Sequence, residues 1–226
     1  MNTNHLLLKQ LSKNSYLFCS SLLANVLVLV TFTSFCNADV IKDPLAGQPS
    51  YREAYAMLEA RDFQGAQRAF DSLLKQSSNS AGAFYGRARV RQELSDHNGA
   101  LDDYTKSLRF DPGNAKAYNN RGLVHGSLKN LRAAKADFDK ALSIDPFFDK
   151  VYNNRGVTRG ALGDVRGAVV DFQKALKINP RYAAAWRNLG LSREMMGDLK
   201  SACNNWRQAA SLGQSDVGEW VKIQCP

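Results

Sequence analysis

Small and aromatic positions recur along this chain at a fixed offset of 34 residues. Ala88, Gly122, Gly156 and Gly190 form one series, and Ala66, Ala100, Ala134, Ala168 and Ala202 a second. Phe70, Tyr104, Phe138, Phe172 and Trp206 form a third, while Pro112, Pro146 and Pro180 close three of the units. Within a unit the apolar positions fall at helical spacing. Tyr118, Gly122 and His125 share one face of a first helix, and Ala134, Phe138 and Ala141 share one face of a second. Each unit is therefore predicted to be a helical hairpin. Its small residues let two backbones approach, its aromatic fills the space between neighbouring units, and its Pro stops the second helix.

The segments Ala115-Lys-Ala-Tyr-Asn-Asn-Arg-Gly122 and Asp149-Lys-Val-Tyr-Asn-Asn-Arg-Gly156 repeat almost unchanged. With the series above they resemble the tetratricopeptide repeat, whose length and Trp/Leu/Gly/Tyr…Ala…Phe…Ala…Pro pattern they follow. The resemblance implies an all-α fold, a right-handed α-solenoid of about five helix-turn-helix repeats. The units run over about 47–80, 81–114, 115–148, 149–182 and 183–214, within a repeat domain spanning 51–226. The first is degenerate, as terminal repeats usually are. Past Gly213, the spacing of Val217, Trp220 and Val221 predicts a short amphipathic helix, a cap over 215–226 that covers the apolar face of the last hairpin.

Composition adds a leader and a charge. Met1 to Ala38 holds no acidic residue, two cations (Lys9 and Lys13) and an apolar stretch ending at Cys36-Asn37-Ala38. This is the layout of an export signal over 1–38, cleaved after Ala38 or retained as a membrane anchor. Acylation of Cys36 is disfavoured by the bulky Phe35 before it. Residues 39–50, with Pro44, Gly47 and Pro49, read as a linker. The formal charge is +9, which favours an acidic partner, a membrane surface or nucleic acid. Because the leader carries only two cations, this excess belongs to the folded part. Cys203 and Cys225 remain after cleavage, in a compartment where disulfides persist. They either form one bridge that staples the cap to the last unit or stay as two thiols.

Arg87, Arg121 and Arg155 recur beside the buried stripe, and Asp103, Asp137 and Asp171 recur one residue before the core aromatic. In the fifth unit both types are lost together, to Leu189 and Asn205, and in the first to Glu53 and Ala69. The joint presence predicts three structural ion pairs, within a unit or across to its neighbour, because a lone buried guanidinium is costly.

First helices line the concave side of a stack of hairpins. There the third unit presents Lys116, Asn119, Asn120 and Leu123, the fourth Lys150, Asn153, Asn154 and Val157, and the fifth Arg187, Asn188 and Leu191. Arg89 takes the matching place in the second. An asparagine amide donates and accepts at once, so the ladder Asn120, Asn154, Asn188 suits an extended backbone. The resemblance implies that these asparagines contact a bound peptide and that Arg89, Lys116, Lys150 and Arg187 grip acidic side chains or a terminal carboxylate. The two-carboxylate-clamp order of cytosolic co-chaperones is not reproduced.

No chemistry of bond making is visible. His5, His97 and His125 have no metal-ligand neighbour at useful spacing, and the two cysteines make no zinc or thioredoxin-like motif. The glycines follow the repeat period rather than a phosphate-binding turn. The sequence thus predicts no enzyme, no cofactor and no small-molecule substrate. It predicts an exported or membrane-associated adaptor that binds an extended, acidic segment of another protein. The alternative is a spacer organising a membrane complex through its convex face or by self-association. Nucleic acid is disfavoured by the leader and the scarcity of exposed aromatics. The ending from Ala202-Cys-Asn-Asn-Trp206 to Trp220-Val-Lys-Ile-Gln-Cys225 looks like that of repeat proteins common in cyanobacteria. That likeness implies the periplasm or the thylakoid lumen.

Overall fold

The computed structural model describes residues 43–225. The leader over 1–38, its cleavage site and Cys36 lie outside the described residues. Eleven α-helices and no strand occur among those described. They form five hairpins: α1 (Pro49–Glu59) with α2 (Phe63–Gln76), α3 (Ala81–Glu93) with α4 (His97–Phe110), α5 (Ala115–Ser127) with α6 (Leu131–Ile144), α7 (Asp149–Ala161) with α8 (Val165–Ile178), and α9 (Ala183–Met195) with α10 (Leu199–Ser211). A last helix, α11 (Val217–Gln224), follows α10. The fold is an all-α solenoid of paired helices.

Local chemistry explains the bounds. The Pro of each closing series stands two residues beyond α4, α6 and α8, where it excludes a further helical turn. The second helices of the first, second, fourth and fifth units start at Asp62, Asp96, Asp164 and Asp198. Each of these carboxylates accepts the orphan N–H three residues on, at 2.8–3.1 Å. The turn inside every hairpin needs one residue in the left-handed region, and these fall 34 apart at Arg61, Ser95, Lys129, Gly163 and Gly197. Only the last two are glycines, so the first three units hold an L-residue in that conformation.

Packing follows the sequence series. All five alanines from Ala66 to Ala202 are fully buried, and so are the five aromatics from Phe70 to Trp206 or nearly so. Phe138, Phe172 and Trp206 lie against Gly122, Gly156 and Gly190 of their own units, so close that a Cβ on any of these glycines would enter the ring. The aromatic therefore closes its own hairpin as well as the gap to the next, a contact within the unit that the expected role between units did not include. Each first helix touches the first helix of the next unit, while second helices make no comparable approach to one another. The stack is thus curved, with α1, α3, α5, α7 and α9 on its inner wall.

The linker reading of 39–50 is corrected from Asp43 onward. Leu45 is buried in the core of the first hairpin, and Pro49 already opens α1. The Asp43 carboxylate accepts from Ser80 Oγ at 2.7 Å and from the Gly82 backbone N–H. This segment is a plug for the open end of the solenoid. Its Pro and Gly residues shape a turn rather than a tether.

The repeated arginines form clamps between units. Arg87 Nε and Nη2 both donate to Asp103 at 2.8 Å, within the same unit, and Nη1 donates to Asp71 of the preceding unit at 2.7 Å. Arg155 does the same with Asp171 at 2.7–2.9 Å and with Asp139 at 2.7 Å. Arg121 grips Asp137 at 2.7–2.9 Å, and its Nη1 reaches Thr105 Oγ1 at 3.1 Å. Each guanidinium also lies over the ring of the aromatic three residues earlier, 5.5–5.7 Å from its centroid. Asp103 and Asp171 have no exposed side-chain surface and Asp137 has 8%. Asp103 raises the affinity of Arg87 for its proton, with Asp71 in support, against the cost of burial. Burial works against Arg155, and its bonds to Asp171 and Asp139 outweigh it. The bidentate geometry makes Lys a poor substitute.

At the far end α11 folds back on the last hairpin. Val217 is buried, Trp220 meets Trp206 edge-on at 5.5 Å between centroids, and a disulfide joins Cys203 to Cys225.

Candidate inner-wall binding site

The inner wall is built from helix positions one face away from the core stripe. In the third and fourth units two adjacent asparagines stand there, about 100° apart around the helix axis. That angle decides their fates. Asn119 and Asn153 turn toward the next unit and are buried, at 8% and 7% exposure. Asn120, Asn154 and Asn188 are half-buried and face the groove.

A buried amide needs partners, and the ladder supplies them. Asn154 Nδ2 donates to Asn119 Oδ1 at 3.0 Å, and Asn188 Nδ2 donates to Asn153 Oδ1 at 2.9 Å. Asn119 Nδ2 donates to Asn120 Oδ1 at 3.0 Å, and Asn120 Nδ2 donates to Tyr85 Oη at 3.1 Å. Burial raises the Tyr85 phenol above its ordinary pKa, against the pull of Arg89, so it stays neutral. Asn119 and Asn153 are thus corrected from peptide contacts to rungs between units. The asparagines that retain polar capacity toward the groove belong to the outer series, and Asn154 Oδ1 has no hydrogen-bond partner among the described residues.

The four predicted cations separate into two classes. Arg187 is corrected to a cap residue: its Nε donates to Asp216 at 2.7 Å, its guanidinium stacks on Trp220 at 5.1 Å, and its Nη1 donates to Asn188 at 3.3 Å. Arg89 pairs with Glu59 at 3.0 Å on an exposed edge. Lys116 and Lys150 are exposed and have no ion-pair partner among the described residues. They sit one helical turn before Asn120 and Asn154, so positive charge lies beside the middle of the ladder.

Beside Asn154 a cavity of about 350 Å³ opens between the third and fourth units. Its walls are Leu123, Phe138, Val157 and the bare backbone at Gly122 and Gly126, with Lys129 at the rim. Sequence reading passed over it because Gly126 lies outside the core series. The available signal was the contrast with Gln92, which stands 34 residues earlier. Among the described residues no cluster of His, Cys, Asp or Glu is placed to hold a metal ion, and no helix is long and apolar enough to cross a membrane. His97 opens α4, and His125 lies 4.0 Å from Asp137, beside the clamp of its unit.

Comparison with known proteins places this architecture. A family model described as tetratricopeptide repeat matches residues 115–148 and 149–182, and a second of the same description matches 51–115. No curated protein matches the chain. Among solved structures, MamA from Desulfovibrio magneticus RS-1 is 19% identical, with TM-score 0.67 over 73% of this chain and 94% of that one. YrrB, described as a TPR protein with an unusual peptide-binding site, is 19% identical, with TM-score 0.66 over 85% and 97% of the two chains. PilF of Pseudomonas aeruginosa is 18% identical, with TM-score 0.69 over 77% and 88%. At these identities the likeness is one of fold. The matched repeats together span residues 51–182, over half of the chain, and the chain belongs to the tetratricopeptide repeat family.

Proposed function

We propose that this chain is an exported or membrane-associated adaptor that holds an extended, acidic segment of another protein along its inner wall. The observation that carries this reading is the uncompensated charge of Lys116 and Lys150 beside the outer asparagine series, on a wall where Arg89 and Arg187 are already paired. An extended backbone has donors and acceptors for Asn120 and Asn154, and its acidic side chains answer the two lysines. The work is recognition rather than catalysis. It calls for no cofactor, small-molecule substrate or nucleic acid.

Export rests on the leader over 1–38 and agrees with the bridge between Cys203 and Cys225, a bond that persists in oxidising compartments such as the periplasm or the thylakoid lumen. The mass of the chain recovered from the envelope or lumen decides whether the leader is cleaved after Ala38. The binding reading is tested with the full chain and fluorescein-labelled acidic and basic peptides of equal length. Acidic peptides bind more tightly, and the advantage shrinks with salt. The double variant Lys116→Glu, Lys150→Glu lowers their affinity about tenfold with an unchanged melting temperature, at about 0.7 kcal/mol per screened contact. Unchanged binding in that variant rejects the inner wall and favours a spacer acting through its outer face.

A further inference from the structure

We infer that the cavity between the third and fourth units is a socket for one bulky aliphatic side chain, which sets the sequence the adaptor selects. This rests on the groove reading above and adds to it a requirement that charge alone does not impose: an apolar anchor flanked by acidic residues.

The socket exists because of two glycines. Gly122 lets the Phe138 ring form the floor, and a Cβ added at Gly126 would meet nothing within 4 Å. Leu123 and Val157 form the sides, and both are more exposed than their apolar character favours, at 37% and 49%. One unit earlier the same places are polar. Arg89 stands for Leu123 and Gln92 for Gly126, and Tyr104 Oη donates to Gln92 Oε1 at 3.0 Å across the corresponding wall. The apolar lining is thus missing at the preceding junction, whereas the following one keeps Gly160 and Leu191 at the matching places.

Its surroundings choose the occupant. The half-buried Asn154 lines it and keeps Oδ1 open for a backbone N–H, which places a peptide main chain at the mouth. Lys129 stands at the rim, and Lys116 and Lys150 lie further along the same two first helices. None of the three has an ion-pair partner among the described residues. A segment with acidic residues on either side of a leucine, isoleucine or methionine satisfies all of these groups together, whereas a lipid chain leaves Asn154 unanswered. A uniformly acidic chain leaves the apolar walls wet.

The test uses the full chain and two fluorescein-labelled peptides, Asp-Ser-Asp-Leu-Asp-Ser-Asp and the same sequence with Ala for Leu. The leucine peptide binds about tenfold more tightly, the return for burying the larger side chain. Gly126→Gln, which imitates the second unit and enters open space, abolishes that preference while leaving the alanine peptide's affinity and the melting temperature unchanged. Val157→Asn does the same by wetting the wall without adding charge. Equal affinity of the two peptides for the unaltered chain overturns the socket while leaving the groove reading intact, provided both still respond to reversal of Lys116 and Lys150. Failure of both peptides to bind overturns both readings. Self-association of the chain that Gly126→Gln disrupts also overturns the inference, because the socket then belongs to a second copy.

Discussion

The third unit and the two beside it share one backbone plan but are held together by different amounts of charge. In the second unit Asp103 is gripped by Arg87 and also by Arg91 at 2.8 Å, and in the fourth Asp171 is gripped by Arg155 and also by Arg159 at 2.9 Å. Three neutral groups replace charges around the equivalent clamp of the third, two from that unit and one from the unit before it. His125 stands for the second arginine, Thr105 for Asp71 and Asp139, and Asn130 for the capping aspartates. The apolar core is repeated through all three units and the polar clamp is not. Shape in this solenoid is therefore set by alanine, glycine and aromatic packing, while the clamps adjust how firmly successive units are joined.

The fifth unit extends the contrast. Leu189 and Asn205 leave it with no clamp, and a covalent bond between Cys203 and Cys225 secures its outer face instead. The middle of the stack relies on buried ionic contacts and its last unit on a disulfide.

The sharpest way to break the comparison is to remove the acceptor from a full clamp. Asp171→Ala removes the buried acceptor shared by Arg155 and Arg159, leaves them only the exposed Asp139 and Asp164, and lowers stability by about 3–5 kcal/mol. Asp137→Ala strands only Arg121, because His125 is held neutral, and lowers it by about 2–3 kcal/mol. Thermal melts of the two variants side by side decide the matter, and equal losses mean that the second cation contributes nothing. Reduction of the disulfide comes next. In the loop-entropy picture a link closing this short a loop contributes about 3 kcal/mol. Loosening confined to the cap appears as a change in the fluorescence of Trp206 and Trp220. A chain whose tryptophan signal and melting temperature ignore reductant refutes a load on that bond.

These contrasts also show which features are legible in a sequence. The helical hairpins and their stacking follow from period alone, since a series such as Ala66 to Ala202 has one explanation. The partner of each polar residue does not follow. Asn119 and Asn120 are adjacent in the chain, and only the rotation of α5 relative to α7 decides which one is covered. Arg187 has the register of a groove residue, but its partner Asp216 lies 29 residues on, in a segment outside the repeat. Asp43 and Leu45 sit among Pro and Gly residues that read as a linker, and their seats are supplied by Ser80 and the first hairpin. In each case the periodic part of the chain predicts itself, and the aperiodic part changes what a periodic residue can do.

A smaller effect sharpens the comparison at Asn130, which makes no side-chain cap bond. The residue three positions on is Ala133, where the first, second and fourth units have glycine. Those glycines lie so near their capping carboxylates that a Cβ would collide with them. Asp198 nevertheless caps the N–H of Ser201, which carries a Cβ. Asn130→Asp is therefore tolerated beside Ala133 and adds about 0.5 kcal/mol, at the low end of the range for a helix cap. A larger gain in the double variant with Ala133→Gly, beyond the helix cost of glycine, identifies that methyl group as the obstacle.

The smallest expected effect belongs to pH. Burial lowers the pKa of His125 from its ordinary 6.5, with Arg121 acting in the same direction and Asp137 opposing them. The folded chain thus takes up this proton less readily than the unfolded one. The resulting stability is fully present above the unfolded value of 6.5 and is lost as pH falls from there toward the lower folded value. Comparison with His125→Gln isolates the contribution, because that variant lacks the titrating ring and its stability should decline less over the same interval. The equivalent substitution at Arg91 or Arg159, which occupy the same register in the neighbouring units, should leave the slope unchanged in this window. An identical pH profile for the unaltered chain and His125→Gln means that Asp137 balances burial. His125 then supplies at mildly acidic pH the positive charge that Arg91 and Arg159 supply in the units on either side.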